Sequence, residues 1–332
     1  MSTAIAARHS LSPRLRRYWG MIKLEFRQHR GGFIYAPMIV VGLLVLMMAL
    51  AAITGEAKIN INGQDLIPKG LAKIASSPEF AQYRSSVLTG PFLAVAGLFH
   101  LVLSVVLVSF FLGSLFDERK DRSILFWKSL PVGDTETVLI RLGTALLLAP
   151  LAYLVAIFGA YILVLLFTSY VVWRLDASPL ELVWSAAQPL SLTLKFLLIQ
   201  WLGMLWLLPV YAWLMLCSAF AKARPILWAI LVPGAVYLFA SWLRWTASVN
   251  VGIDAVISDL GNRIGGFVFP FSPRYAVSQG MDKNGQFMPP QDLLIGPALD
   301  KLSEPSLWIG VAFAAAMIYL SIHLRRNRDD AL

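Results

Sequence analysis

Charge is scarce in this chain. Of its 332 residues, Asp, Glu, Lys and Arg together make up only 14%. Soluble domains carry nearer a quarter, so an ordinary water-facing surface is excluded. Cysteine is scarcer still. Cys217 is the only one and lies in an apolar run, which excludes an internal disulfide and a multi-cysteine metal site. The four histidines do not cluster and there is no His-Glu-x-x-His. No metal centre is therefore expected. The Gly-x-x-x-x-Gly-Lys-Ser/Thr loop is missing too, so the chain does not bind nucleotide by that route. Gly-x-Ser-x-Gly is also lacking. The chain reads as a non-enzyme that itself holds no cofactor. "DKNGQ" (282–286) has part of a calcium loop, but its glycine is misplaced and the closing Glu is missing. It reads as a tight hairpin turn.

What the chain has in abundance is apolar length. Hydrophobic residues reach 58% and the mean hydropathy is +0.68. A bilayer core of about 30 Å needs about 20 helical residues. Six runs qualify: 33–53, 91–116, 142–168, 190–219, 225–245 and 307–324. The expected fold is an all-α integral membrane protein with six spans (33–332), preceded by a polar segment (1–32). Apolar residues do not accumulate before Phe33, so the start does not read as a cleaved signal peptide.

Basic residues in the flanks set the expected orientation, because Lys and Arg are retained on the cytoplasmic side. Arg8, Arg14, Arg16, Arg17, Lys23, Arg27 and Arg30 precede span one, against the lone acid Glu25. Arg119, Lys120, Arg122, Lys128 and Arg141 follow span two, Lys222 and Arg224 follow span four, and Arg325, Arg326 and Arg328 follow span six. The intervening segments are mixed or slightly acidic. Both termini are expected in the cytoplasm, in a multi-pass protein of the cell (inner) membrane.

Ser12-Pro13 reads as an N-cap with proline at the first helical position. Leu15, Tyr18, Trp19, Ile22 and Phe26 then recur at helical spacing, with Arg16, Lys23, Arg27 and Arg30 elsewhere on the wheel. Such a basic amphipathic helix lies flat on the inner membrane surface. In the long loop 246–306, Ile253, Val256, Ile257, Leu260 and Ile264 also keep helical spacing, with Asp254, Asp259 and Arg263 between them. That helix would cap the outer mouth or dip into the membrane.

Ionisable groups inside spans are costly. The one near mid-membrane is His100, either a neutral imidazole bonded to a neighbouring helix or part of a transport pathway. Pro150, Pro209 and Pro233 fall within spans and remove backbone donors. Trp173, Trp184, Trp242 and Trp245 fit an interfacial belt.

The exception to all this grease is the loop 117–141, "DERKDRSILFWKSLPVGDTETVLIR". Leu130-Pro131 ends a short helix, and Asp134 reads as the N-cap of the next. Ile124, Leu125, Phe126 and Trp127 form an apolar knob ringed by Arg119, Lys120, Arg122 and Lys128. Aromatics ringed by charge suit a docking surface; a loop that only fixes topology is the plainer alternative.

Here the chain resembles a transmembrane subunit of the ABC-2 family of ATP-driven exporters. The resemblance rests on "IKLEFRQHR" (22–30) and on Glu118, Leu130, Pro131, Val132 and Arg141 in the loop. The family often has Gly-Thr where this chain has Arg122-Ser123, and Lys where it has Arg141. The resemblance implies an amphipathic connecting helix (14–30), with Tyr18, Trp19, Lys23, Phe26 and Arg27 at the interface. It also implies a short coupling helix (117–131) and re-entrant helices at 252–271. Glu118, Arg119, Arg122, Phe126, Trp127, Lys128 and Pro131 would couple to the motor. It further implies two separate ABC ATPase subunits that hold ATP and Mg, a second permease copy, and membrane lipids around the pair, without nucleic acid. The expected function is a permease for a lipid-like, peptide or drug-like cargo. An ion-driven secondary transporter using His100, or a non-catalytic membrane scaffold, is the alternative.

Overall fold

A computed structural model describes residues 13–54, 59–61, 64–66, 78–124, 132–174, 177–247, 252–268 and 295–327. Six helices are long and apolar enough to cross a membrane, the architecture of a multi-pass membrane protein: Gly31–Ile53, Leu88–Gly113, Asp134–Arg174, Leu180–Trp206, Pro225–Ala247 and Pro305–Asn327. They are spans one to six below. The extended residues among those described form one small antiparallel ribbon, Ile59–Ile61 with Gln64–Leu66, which an all-α expectation omits. The turn expected at 282–286 and the cap expected at Ser12 lie outside the described residues.

Span two is the hub. Its helix, Pro78–Gly113, starts well ahead of the apolar run that sequence hydropathy marks at 91–116. Its buried side chains Phe92, Phe99, Leu103, Leu107 and Phe111 fill the core between its neighbours. Span three continues from the helix Asp134–Gly143 through Thr144–Leu148 to Ala149–Arg174. At about 1.5 Å per residue its 41 residues run about 60 Å, twice the hydrocarbon core. Roughly half of it therefore projects beyond the bilayer. Ala145, Ala149, Tyr153, Ile157, Tyr161 and Leu165 are buried along it at four-residue steps, a single ridge aimed at the hub. Spans one and five expose most of their apolar surface, which suits contact with lipid.

Proline places the irregularities. Three π-turns occur among the described residues, Gly31–Tyr35, Thr144–Leu148 and Leu180–Trp184. The first two end two residues before a proline, Pro37 and Pro150. After Ala36 donates to Gly31, the next wide-turn donor to the Gly32 carbonyl would be residue 37. Proline has no N–H. The Tyr153 hydroxyl of span three donates to that oxygen instead, at 2.9 Å. Tyr161 binds span two in the same manner, donating to the Leu88 carbonyl at 3.1 Å.

Pro209 has a larger effect. The apolar run 190–219 is two helices, Pro189–Trp206 and Leu208–Phe220, broken at Leu207. Pro233, by contrast, sits inside one continuous helix. Asp134 is the first helical residue rather than the cap, which falls to Gly133. Replacing Tyr153 with Phe removes one buried donor and is expected to cost about 1–2 kcal/mol of stability. In detergent, Tyr153→Phe should melt below the parent, while Tyr170→Phe at an exposed ring should not.

Candidate functional site

The base of the loop between spans two and three is where charge concentrates. Span two ends at Gly113, and a five-residue helix, Phe116–Lys120, follows almost at once. The first N–H groups of such a helix lack internal partners. Ser218, from the second half of span four, supplies an acceptor: its Oγ takes the N–H of Leu115 and of Phe116, both at 2.9 Å. Arg119 completes the stitch. Its Nη2 donates to the carbonyls of Ser218 (2.7 Å) and Ala221 (2.8 Å), the unpaired end of the helix Leu208–Phe220.

Glu118 turns the other way, into a buried cluster of charge. It is 6% exposed and its two carboxylate oxygens divide their partners. Oε1 accepts from Arg141 Nη2 and Oε2 from Arg325 Nη1. Arg141 belongs to span three and Arg325 to the end of span six. Arg141 also donates to the Ser114 carbonyl, and its Nε lies 3.4 Å from Glu25 Oε1 on the N-terminal helix Pro13–Gln28. Arg325 Nε donates to Asp134 Oδ1 at 2.9 Å. Two guanidiniums thus face three carboxylates, and His29 Nδ1 lies 3.6 Å from Glu25. Each buried charge costs several kcal/mol of desolvation, recovered only where partners are complete. The cluster joins four separate pieces of chain.

A second set of contacts fixes the N-terminal helix along its length. Arg17 Nη2 donates to Glu136 Oε1 at 2.8 Å, and the Tyr18 hydroxyl donates to the same oxygen at 2.8 Å. Phe26 packs against Phe33, ring centroids 5.5 Å apart. Trp19, Lys23 and Arg27 face outward. The helix therefore has a protein-bound edge as well as the membrane-facing one that its pattern suggests.

The residues expected to engage a motor divide by environment. Glu118 and Arg119 are buried inside the chain and hold the loop's base. Arg122 is exposed and has a left-handed backbone, φ 58°, uncommon for a side chain of its size. Phe126, Trp127, Lys128 and Pro131 lie outside the described residues. Asp117 is exposed at the surface of the cluster, where burial and then the Asp121 charge push its carboxyl above the usual range.

His100 is buried. Its Nδ1 donates to Gln200 Oε1 at 2.5 Å, between spans two and four. The pair borders a small cleft lined also by Phe99, Pro150, Tyr153 and Phe196. At the far end of the bundle, Arg263 of the helix Ile253–Val268 is buried, while Val256, Ile257 and Ile264 of the same helix are exposed.

Sequence reasoning missed three contributors: Glu25 and Arg325 entered only the balance of flanking charge, and Ser218 was not singled out. The signal was present for one of them, since Glu25 is the only acid in a basic helix. If Glu118 is shared, removing its charge strands both guanidiniums. Glu118→Gln should cost about 3–5 kcal/mol. Adding Arg325→Met should recover part of that, with a coupling of about 0.5–3 kcal/mol in unfolding measurements. Strictly additive losses would contradict a shared carboxylate.

Compared with known proteins, the chain matches no family model, no curated protein and no solved structure.

Proposed function

We propose that this chain is the membrane-spanning permease of an ATP-driven exporter of the ABC-2 type, working in the cell membrane with separate ATPase subunits. The observation that carries the reading is the anchoring of the loop 117–131. Its base is fastened to spans three and six through Glu118, and to span four through Arg119. A force applied to the tip of that loop reaches three spans and the N-terminal helix directly, without passing through soft apolar packing. A passive connector needs no such fastening.

In this scheme the termini and the loop face the cytoplasm, as the basic flanks imply. The tip, with Phe126, Trp127 and Lys128, is the surface the motor pushes. Glu118 and Arg119 transmit the push rather than touch the motor. Arg122, exposed beside them, is available to an acidic partner surface. Spans one and five, which expose the most apolar area, are the faces open to lipid or to a second permease copy. The N-terminal helix lies along the inner leaflet, with Trp19 as its anchor and Lys23 and Arg27 toward the headgroups.

The reading is tested by affinity purification of the tagged chain from its own membranes. The parent chain should bring ATP hydrolysis with it. The double substitution Phe126→Asp and Trp127→Asp should remove that activity from the eluate while the chain still inserts and folds. Undiminished co-purification of ATPase would contradict the docking role of the tip.

A further inference from the structure

Arg263 is 3% exposed, yet it belongs to a helix whose apolar side chains point away from the protein: Val256 is 62% exposed. The guanidinium is used at three of its nitrogens. Nε donates to Asp259 Oδ2 one turn earlier (2.6 Å), Nη1 to the Trp206 carbonyl (2.8 Å) and Nη2 to the Ser306 carbonyl (2.6 Å). It also lies over the Trp206 ring, 4.4 Å from the centroid, with the Lys301 ammonium 5.3 Å from the same ring. Burial lowers the pKa of that lysine.

Each partner is prepared for it. The Trp206 carbonyl is accessible because span four breaks just after it, and the Val210 N–H donates to Leu207 instead. Span six gives up a side chain at the contact. A Cβ at Gly310 would sit 2.8 Å from Arg263 Nη1 and 3.0 Å from Pro209 Cγ. One side chain thus bridges the loop helix, the break in span four and the first turn of span six.

The other end of the loop helix is built as a pivot. Gly252, just ahead of Ile253, has φ +68°, which only glycine adopts freely. Arg244, in the last turn of span five, pairs with Asp254 through both carboxylate oxygens at an exposed site. A turn, a tether and a buried polar fastening are the parts of a lid. The fastening is polar and local, and its backbone acceptors can be satisfied by water once it leaves. The apolar face turned outward already suits lipid in either position.

We propose that the helix Ile253–Val268 is a lid hinged at Gly252 and latched by Arg263, which closes the seam between spans four and six at the end of the bundle away from the termini. Its use as an exit gate rests on the export reading; the latch does not. The test uses the full chain in the membranes of expressing cells, with Cys217→Ser as background. Leu207→Cys and Leu307→Cys serve as reporters, both buried beside the carbonyls that Arg263 holds. A membrane-impermeant maleimide should label neither in the parent. Arg263→Gln should raise labelling of both by about tenfold or more, as expected from losing two charged hydrogen bonds, with Arg263→Lys in between. Gly310→Val displaces the guanidinium without removing it, and should give the same rise even if Arg263→Gln fails to insert. Reporters that stay protected in both variants would overturn the latch. The ATPase co-purification described above decides the export reading separately: reporters opened by Arg263→Gln beside an eluate without ATP hydrolysis would keep the latch and sink the ATP-driven reading.

Discussion

The carboxylate of Glu118 is claimed by two arginines, one 23 and the other 207 positions along the chain, and the rest of the architecture is arranged around that claim. Arg141 opens span three, Arg325 closes span six, and Glu118 begins the loop between spans two and three. None of the three can move alone without leaving a charge short of a partner in a buried place. A buried ion cluster is poor at raising net stability but good at fixing which partners meet. Here it selects one arrangement of helix ends out of many that apolar packing alone would tolerate. Glu25 adds the N-terminal helix to the set through Arg141, and Arg17 and Tyr18 repeat the attachment one helix face along, on Glu136.

Span six shows what such fastening accomplishes. Between Ser306 and Arg325 it is about 28 Å long, close to the thickness of a bilayer core. A guanidinium is bound at each end: Arg325 reaches out from one, and Arg263 reaches into the other. The helix between them is continuous, so a displacement at one clasp is carried to the other. Its neighbour, the lower half of span four, is stitched to the loop by Arg119 and broken from its upper half at Leu207. The two halves can therefore respond to different ends of the molecule. The irregular turns near Pro37 and Pro209 are compensated by buried donors from other helices, Tyr153 and Arg263. They are held geometries rather than loose joints.

Much of the fold was legible in the sequence because it follows from one-dimensional quantities. Apolar run length gives the six spans to within a few residues at most ends. The amphipathic N-terminal helix follows from its spacing. What was illegible depends on pairing. Arg325 looks like a stop signal, and nothing in its neighbourhood says that it will meet Glu118 across 207 positions. Ser218 is one hydroxyl in an apolar run, and its role as a cap belongs to a helix elsewhere. The helix in the loop before span six was legible from its spacing, but the burial of Arg263 was not, because its acceptors are backbone carbonyls of two other helices. The π-turns left a faint trace, since two of the three end two residues before a proline. Asp134 was taken as a cap on residue type, whereas Arg325 drew its carboxylate away and Gly133 took the position.

The central claim is that the charge cluster makes the N-terminal helix and the end of span six move as one body. Spin labels at two exposed positions, Arg27→Cys and Asn327→Cys in a Cys217→Ser background, would report it through pulsed distance measurement in lipid nanodiscs. The account predicts one narrow distance distribution in the parent and a broad or shifted one when Glu118→Gln is added. A distribution unchanged by Glu118→Gln would contradict it.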